Sequence, residues 1–405
     1  MPRNPPFPAC HSPPGRPRDP LRWGLIILLL VLAAACSPER ALEAKRLLLD
    51  VAAGPGPSTL KEVTAPPSRQ PLRFAVDGRR HGGELYRPAA GPARPLVLVP
   101  GVTPHGLDDP RLVAFAGSLA RAGFLVLVPD IANLRALKVR ASDALPIADA
   151  VRHLARSPDG LQDRAATPRT VALAAISYAA GPALLAALEP DVTPDLAFLL
   201  LIGGYHDMTA VVTFFTTGAY RAKPGEAWRY GAPNAYGKWV FVRSNAEVLS
   251  TPSDRRLLAE IARRKMDDLT AEISDLTVRL GPEGRSVLAL LNNRDPERVP
   301  ELMASLPAAI ADNMRGLDLA GRDLAALDLP VFLLHGRDDP VIPFTESQSL
   351  AAALPEGTAR LYLADNLSHV ALSPGGLSDA LTLWEAAYRL LEARDEMTST
   401  DESRQ

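Results

Sequence analysis

The chain has 405 residues, 47% of them hydrophobic, which is enough for one large domain with an insertion or for two domains. Its 44 basic and 46 acidic residues nearly cancel, and no basic patch points to nucleic acid. Two cysteines exclude a disulfide framework or a cysteine-rich metal site, and the seven histidines form no HExxH motif or ligand cluster.

Residues 1–22 are polar and rich in proline and arginine. Arg16, Arg18 and Arg22 precede an apolar run at 23–32, which ends in Ala33, Ala34, Ala35 and Cys36. The run is short for a membrane span, which needs about 20 residues, and reads as a signal peptide over 1–35. The segment 32–36 resembles a bacterial lipobox, with Ala33 where leucine is more usual. That resemblance implies cleavage before Cys36, its lipidation, and an exported protein anchored to a membrane on the periplasmic or cell-envelope side. Residues 36–70 read as a tether. A short helix is expected at 39–52, followed by flexible or extended Gly-Pro and Pro-Pro stretches.

The folded region starts near Pro71. Two edge strands are expected at 72–76 and 83–87, around a turn at Asp77 and Gly78. A fully apolar strand at 95–99 runs into Pro100, Gly101 and Val102. A helix is expected at 111–122, a strand at 124–129 ending beside Asp130, and a helix at 142–156. His105, just before Gly106, reads as a turn residue. Segment 170–185 opens as a buried strand and closes as a helix, with Ser177 between them and Ala175 and Ala179 two residues to either side. This small-x-Ser-x-small pattern is that of a nucleophile elbow, where the serine is forced into strained φ/ψ and strand and helix pass too closely for large neighbours; a serine simply packed among alanines at a strand end has the same pattern. Another buried strand covers 196–204. Strands alternating with helices at this spacing predict a mostly parallel sheet.

The strand rhythm stops between Gly204 and Asp328. Helices are expected over 254–280, 283–291 and 296–314, with aromatic residues crowded into 205–241. We read 205–325 as a helical cap inserted over the site edge, with a second packed helical domain with core aromatics as the alternative, and 71–204 with 326–395 as the core. The sheet resumes at 329–334, followed by His335, Gly336, Arg337, Asp338 and Asp339. A helix at 345–354, a strand at 359–364, a loop bearing Ser368 and His369, and a helix at 377–394 complete the core. Residues 396–405 read as a disordered tail.

The segment 335–343 closely resembles the His-Gly-x-x-Asp-x-x-x-Pro stretch of α/β-hydrolases, and the chain order Ser, Asp, His, each after a strand, fits that family. The resemblance spans Leu72 to Arg394 apart from the insertion. It implies an α/β-hydrolase fold with a central sheet flanked by helices. It also implies a triad of Ser177 as nucleophile, Asp339 as acid and His369 as base, with His335 and Gly336 shaping the loop. The Tyr178 amide, after the nucleophile, and the Val102 amide, in the loop that often reads His-Gly-x in the family, would form the oxyanion hole. The substrate implied is a small-molecule carboxylic ester, and the implied triad chemistry needs no metal or organic cofactor. Amides, thioesters and peptides remain open, as does a catalytically inactive hydrolase fold serving as a binding or scaffold lipoprotein.

Overall fold

The computed structural model describes residues 37–91, 93–156, 170–365, 367–368, 371–372 and 376–402. The leader, Cys36 and His369 lie outside the described residues. By its internal contacts the chain divides into two compact units, Met1–Leu42 and Glu43–Gln405. The described part of the first is the opening of a helix, Pro38–Ala53.

The larger unit is built on one eight-stranded sheet. Its strands in chain order are β1 (Ser68–Val76), β2 (Arg79–Arg87), β3 (Arg94–Val99), β4 (Phe124–Pro129), β5 (Val171–Ile176), β6 (Leu196–Ile202), β7 (Val331–Gly336) and β8 (Ala359–Ala364). Their spatial order is β1-β2-β4-β3-β5-β6-β7-β8. β2 pairs antiparallel with β1 and β4, and the other neighbours are parallel. β1 and β2 meet through a two-residue turn, Asp77 and Gly78, both with positive φ, the geometry that follows the strand twist.

The apolar runs that mark the inner strands are buried on both faces, so successive residues feed two separate cores. Val97, Leu127, Leu173, Leu199 and Leu333 face one side, against the helices Ala144–Arg156 and Ala180–Ala187. Leu96, Val126, Ala172, Phe198 and Phe332 face the other, against Pro110–Arg121 and the C-terminal helix Leu377–Glu402. The mostly parallel sheet flanked by helices is the fold class expected from the sequence.

Between β6 and β7 the chain is mostly helical, with main segments Met208–Thr217, Tyr236–Asn245, Pro252–Asp267, Pro282–Asn292 and Ala308–Leu317, and one short antiparallel strand pair, Ala219–Tyr220 with Arg229–Tyr230. The single long helix expected over 254–280 ends at Asp267. The Asp268 carboxylate accepts from the Thr270 amide at 2.8 Å and the Thr270 hydroxyl at 2.7 Å, a local turn that competes with helix continuation. The expected helix over 296–314 is broken at Ser305, Leu306 and Pro307, since proline disfavours helix in the residue before it. At the C-terminus the outcome is the reverse. Residues 396–402, read as disordered, continue the closing helix, a stretch with no glycine or proline to stop it.

The segment read as a tether is also ordered from Glu43 onward. Asp50 is fully buried and accepts hydrogen bonds from Ser58 and, at 2.6 Å, from Ser118 on the helix Pro110–Arg121, with the Lys61 ammonium at 2.7 Å. Arg394 of the C-terminal helix pairs with Glu43.

Candidate active site

Ser177 follows β5 directly and has φ +59°, one of three non-glycine residues with positive φ among the described residues. For a side chain with a Cβ this left-handed conformation costs about 1–3 kcal/mol, so the surrounding packing has to enforce it. Ala175, Ala179 and Ala180 are fully buried around the turn. On the following helix, a Cβ at Gly181 would lie 1.9 Å from the Tyr205 hydroxyl. Tyr205 is fully buried and donates that hydroxyl to the Leu317 carbonyl at 3.0 Å, tying the elbow to the helical insertion. The sequence pattern around Ser177 was visible, but the dependence of Gly181 on Tyr205 was not, because the partner lies beyond the next strand.

The turn leads into the helix Ala180–Ala187, whose N-terminus carries a partial positive charge beside Ser177. The Tyr178 amide belongs to this turn. Val102 lies in the loop after β3, and Gly101 beside it sits against Ile176, the residue before the serine. Among the described residues the Val102 amide has no hydrogen-bond partner. The loop is fixed by Thr103, which donates to Asp109 at 3.0 Å, while Asp109 caps the next helix through the Arg111 amide. The Arg111 guanidinium holds the Asp109 carboxyl down at about 2.

Asp339 is buried and Asp338 is exposed. Oδ1 of Asp339 accepts from the amides of Val341 at 2.7 Å and Ile342 at 3.1 Å, bonds that favour the charged form. His335 is fully buried beneath it. Nε2 of His335 lies 3.0 Å from the Ile342 carbonyl and 3.3 Å from Asp339 Oδ2, and Nδ1 lies 2.7 Å from Ser347 Oγ. A carbonyl only accepts, so Nε2 carries the proton and Nδ1 accepts from Ser347. His335 thus clamps the loop rather than facing the cavity. The Tyr178 phenol, raised by burial and then by the charge of Asp339, stays protonated.

His369 lies outside the described residues; the strands on either side of it, Leu367–Ser368 and Ala371–Leu372, pair antiparallel. A Cβ at Gly336 would lie 1.6 Å from the Leu367 carbonyl oxygen, so only glycine lets this strand pair cross the end of β7, three residues before Asp339. Asp130 is paired with Arg135 at 2.6 Å and does not line the cavity at Ser177. Ser177, Tyr178, Gly101, Val102, His105 and Val341 line one cavity of about 650 Å³. Among the described residues no group of three His, Cys, Asp or Glu side chains is arranged to hold a metal.

A buried carboxylate missed from the sequence braces the site from behind. Glu346, just after the Asp339 loop, accepts from the amides of His206 at 3.0 Å and Asp207 at 2.7 Å, where β6 leads into the insertion. Burial raises its pKa from 4.5 to about 8, the two amides pull it down, and Asp207 and Asp318 push it up. Below pH 4.5 the folded and unfolded chains both keep the proton. Between 4.5 and 8 the unfolded chain releases it first, so stability falls as pH rises and levels off above 8. Glu346→Gln retains an acceptor for both amides and removes the titration. Urea unfolding at pH 5 and pH 8 should show the wild type losing about 3–4 kcal/mol relative to the variant. Parallel pH slopes for the two proteins would reject this account.

No protein-family model matches the chain, and no curated protein does. Several solved structures align with it over most of the chain at low sequence identity. The α/β-hydrolase GrgF from Penicillium sp. sh18 is 15% identical with TM-score 0.46, over 82% of this chain and 99% of that one. A dienelactone hydrolase from Anabaena variabilis is 16% identical with TM-score 0.41, over 80% and 97%. A variant of the rice cell wall degrading esterase LipA from Xanthomonas oryzae is 13% identical with TM-score 0.46, over 80% and 89%. At such identities the activity has to be argued from the site of this chain.

Proposed function

We propose that the chain is a serine hydrolase that cleaves carboxylic esters through an acyl-enzyme intermediate. The observation that carries this reading is Ser177 at φ +59° on a strand-to-helix turn, in the wall of an apolar cavity. A strained serine at such a place stores free energy that a packing residue would have no use for. In the proposed reaction Oγ of Ser177 bonds to the acyl carbon, and its proton passes to His369. The carbonyl electrons move onto oxygen, which the Val102 and Tyr178 amides stabilise. As the tetrahedral species collapses, the C–O bond to the alcohol breaks, and the alcohol leaves with the proton from His369. Water then attacks the acyl-enzyme by the same sequence and releases the acid. Asp339 orients the imidazole and stabilises its charged form.

The alanines at 175 and 179, where glycine is usual, do not favour an inactive scaffold, since the positive φ is reached with alanine in both places. The direct test is a fluorophosphonate probe applied to the folded full chain, with the adduct mapped by peptide mass. The expected adduct is on Ser177 and disappears after heat denaturation. Folded protein without an adduct would turn the reading to the binding or scaffold alternative.

A further inference from the structure

The cavity at Ser177 does not end near the serine. The same cavity is lined by Leu47 and Val51 of the N-terminal helix and by Leu383 and Leu390 of the C-terminal helix. Its floor is the sheet: Ile176, Leu200, Phe332 and Leu334 lie on one face by strand alternation, and each borders the space. The polar lining gathers in the loop after β3, where Thr103 and Asp109 bond to one another and Asp109 to Arg111. Away from this loop the lining among the described residues is mostly aliphatic and aromatic.

A space of about 650 Å³ beside a nucleophile is in the range of sites for whole organic ligands, and an acetyl group would leave most of it empty. The distal wall is also built. Asp50, one position before Val51, holds the N-terminal helix to Ser118, and Arg394 holds Glu43 while donating to the Ala122 carbonyl. A segment serving only as a spacer has no need of a buried carboxylate.

We propose that this cavity is a channel for a long acyl chain, with the carbonyl at Ser177 and the tail across the sheet face under the N-terminal and C-terminal helices. The substrate class is then esters of long-chain fatty acids. This inference rests on the hydrolase reading, and its test separates the two. The Ser177→Ala full chain is titrated with cis-parinaric acid, a fluorescent fatty acid, and compared with the same protein carrying Val51→Trp or Ala387→Trp, plugs on two different walls. The smaller Val51→Phe and Ala387→Leu serve if tryptophan prevents folding, which a thermal melt reports.

The expected result is binding weakened at least tenfold by either plug. With active protein and p-nitrophenyl esters from acetate to dodecanoate, kcat/KM should rise about three- to fourfold per methylene, and the plugs should flatten that rise. Fatty-acid binding indifferent to both plugs, or a flat chain-length profile in the wild type, would overturn the channel. Plug-sensitive binding without ester turnover would keep the channel and sink the hydrolase reading. Turnover of acetate without fatty-acid binding would do the opposite.

Discussion

Ser177→Ala is expected to lower ester turnover by about 10⁴- to 10⁶-fold, the range for removing a triad nucleophile, while leaving the fold intact. Alanine meets the same left-handed φ as serine, so the strain at the elbow is unchanged and only Oγ is lost. Thermal melts of the two proteins should therefore coincide within a few degrees. The loss should fall on kcat rather than KM, because Oγ forms its bond only as the reaction proceeds. Triad residues act as a unit, so adding His369→Ala to the serine variant should remove little further activity. The measurement is steady-state hydrolysis of p-nitrophenyl acetate by the wild type, each single variant and the double variant. Turnover within tenfold of wild type in the serine variant would remove Ser177 from the chemistry. A further large loss in the double variant would show that His369 acts apart from the serine.

Much of the sheet could be read from the sequence because its strands are short, fully apolar and separated by helices of clear period. β4 and β8 fall on their expected residues, and β3 begins one residue early. The elbow was legible because its steric demand lies within two residues of Ser177. Distant partners hid the rest. Gly54, Gly56 and the prolines around them made 36–70 look like a tether, while the residues that hold it, Ser118 and Arg394, are far along the chain. Glu346 stands at the start of the helix expected over 345–354, and nothing near it in sequence announces that His206 and Asp207 donate to it. The cavity was invisible for the same reason, since its walls come from both ends of the chain.

The adjacent aspartates give the sharpest discrimination. Asp339→Asn should lower kcat by about 10⁴-fold, the effect known for replacing a triad carboxylate by its amide. Asp338→Asn should change it by less than about threefold, because Asp338 is exposed. The loop should survive the first change, since the carbonyl oxygen of the introduced amide can still accept from the Val341 and Ile342 backbone N–H groups. What changes is the other oxygen. It becomes an NH₂ donor, 3.3 Å from the protonated Nε2 of His335, where two donors now face each other. More important, an amide cannot stabilise a positive charge on His369 or hold the tautomer that leaves an imidazole nitrogen free to take the serine proton. The kcat of both variants on one ester, with urea unfolding as the fold check, decides the assignment. A large loss in Asp338→Asn and none in Asp339→Asn would exchange their roles. No loss in either would leave Ser177 without an acid partner in this loop, and the triad would have to be abandoned even if the serine itself reacts.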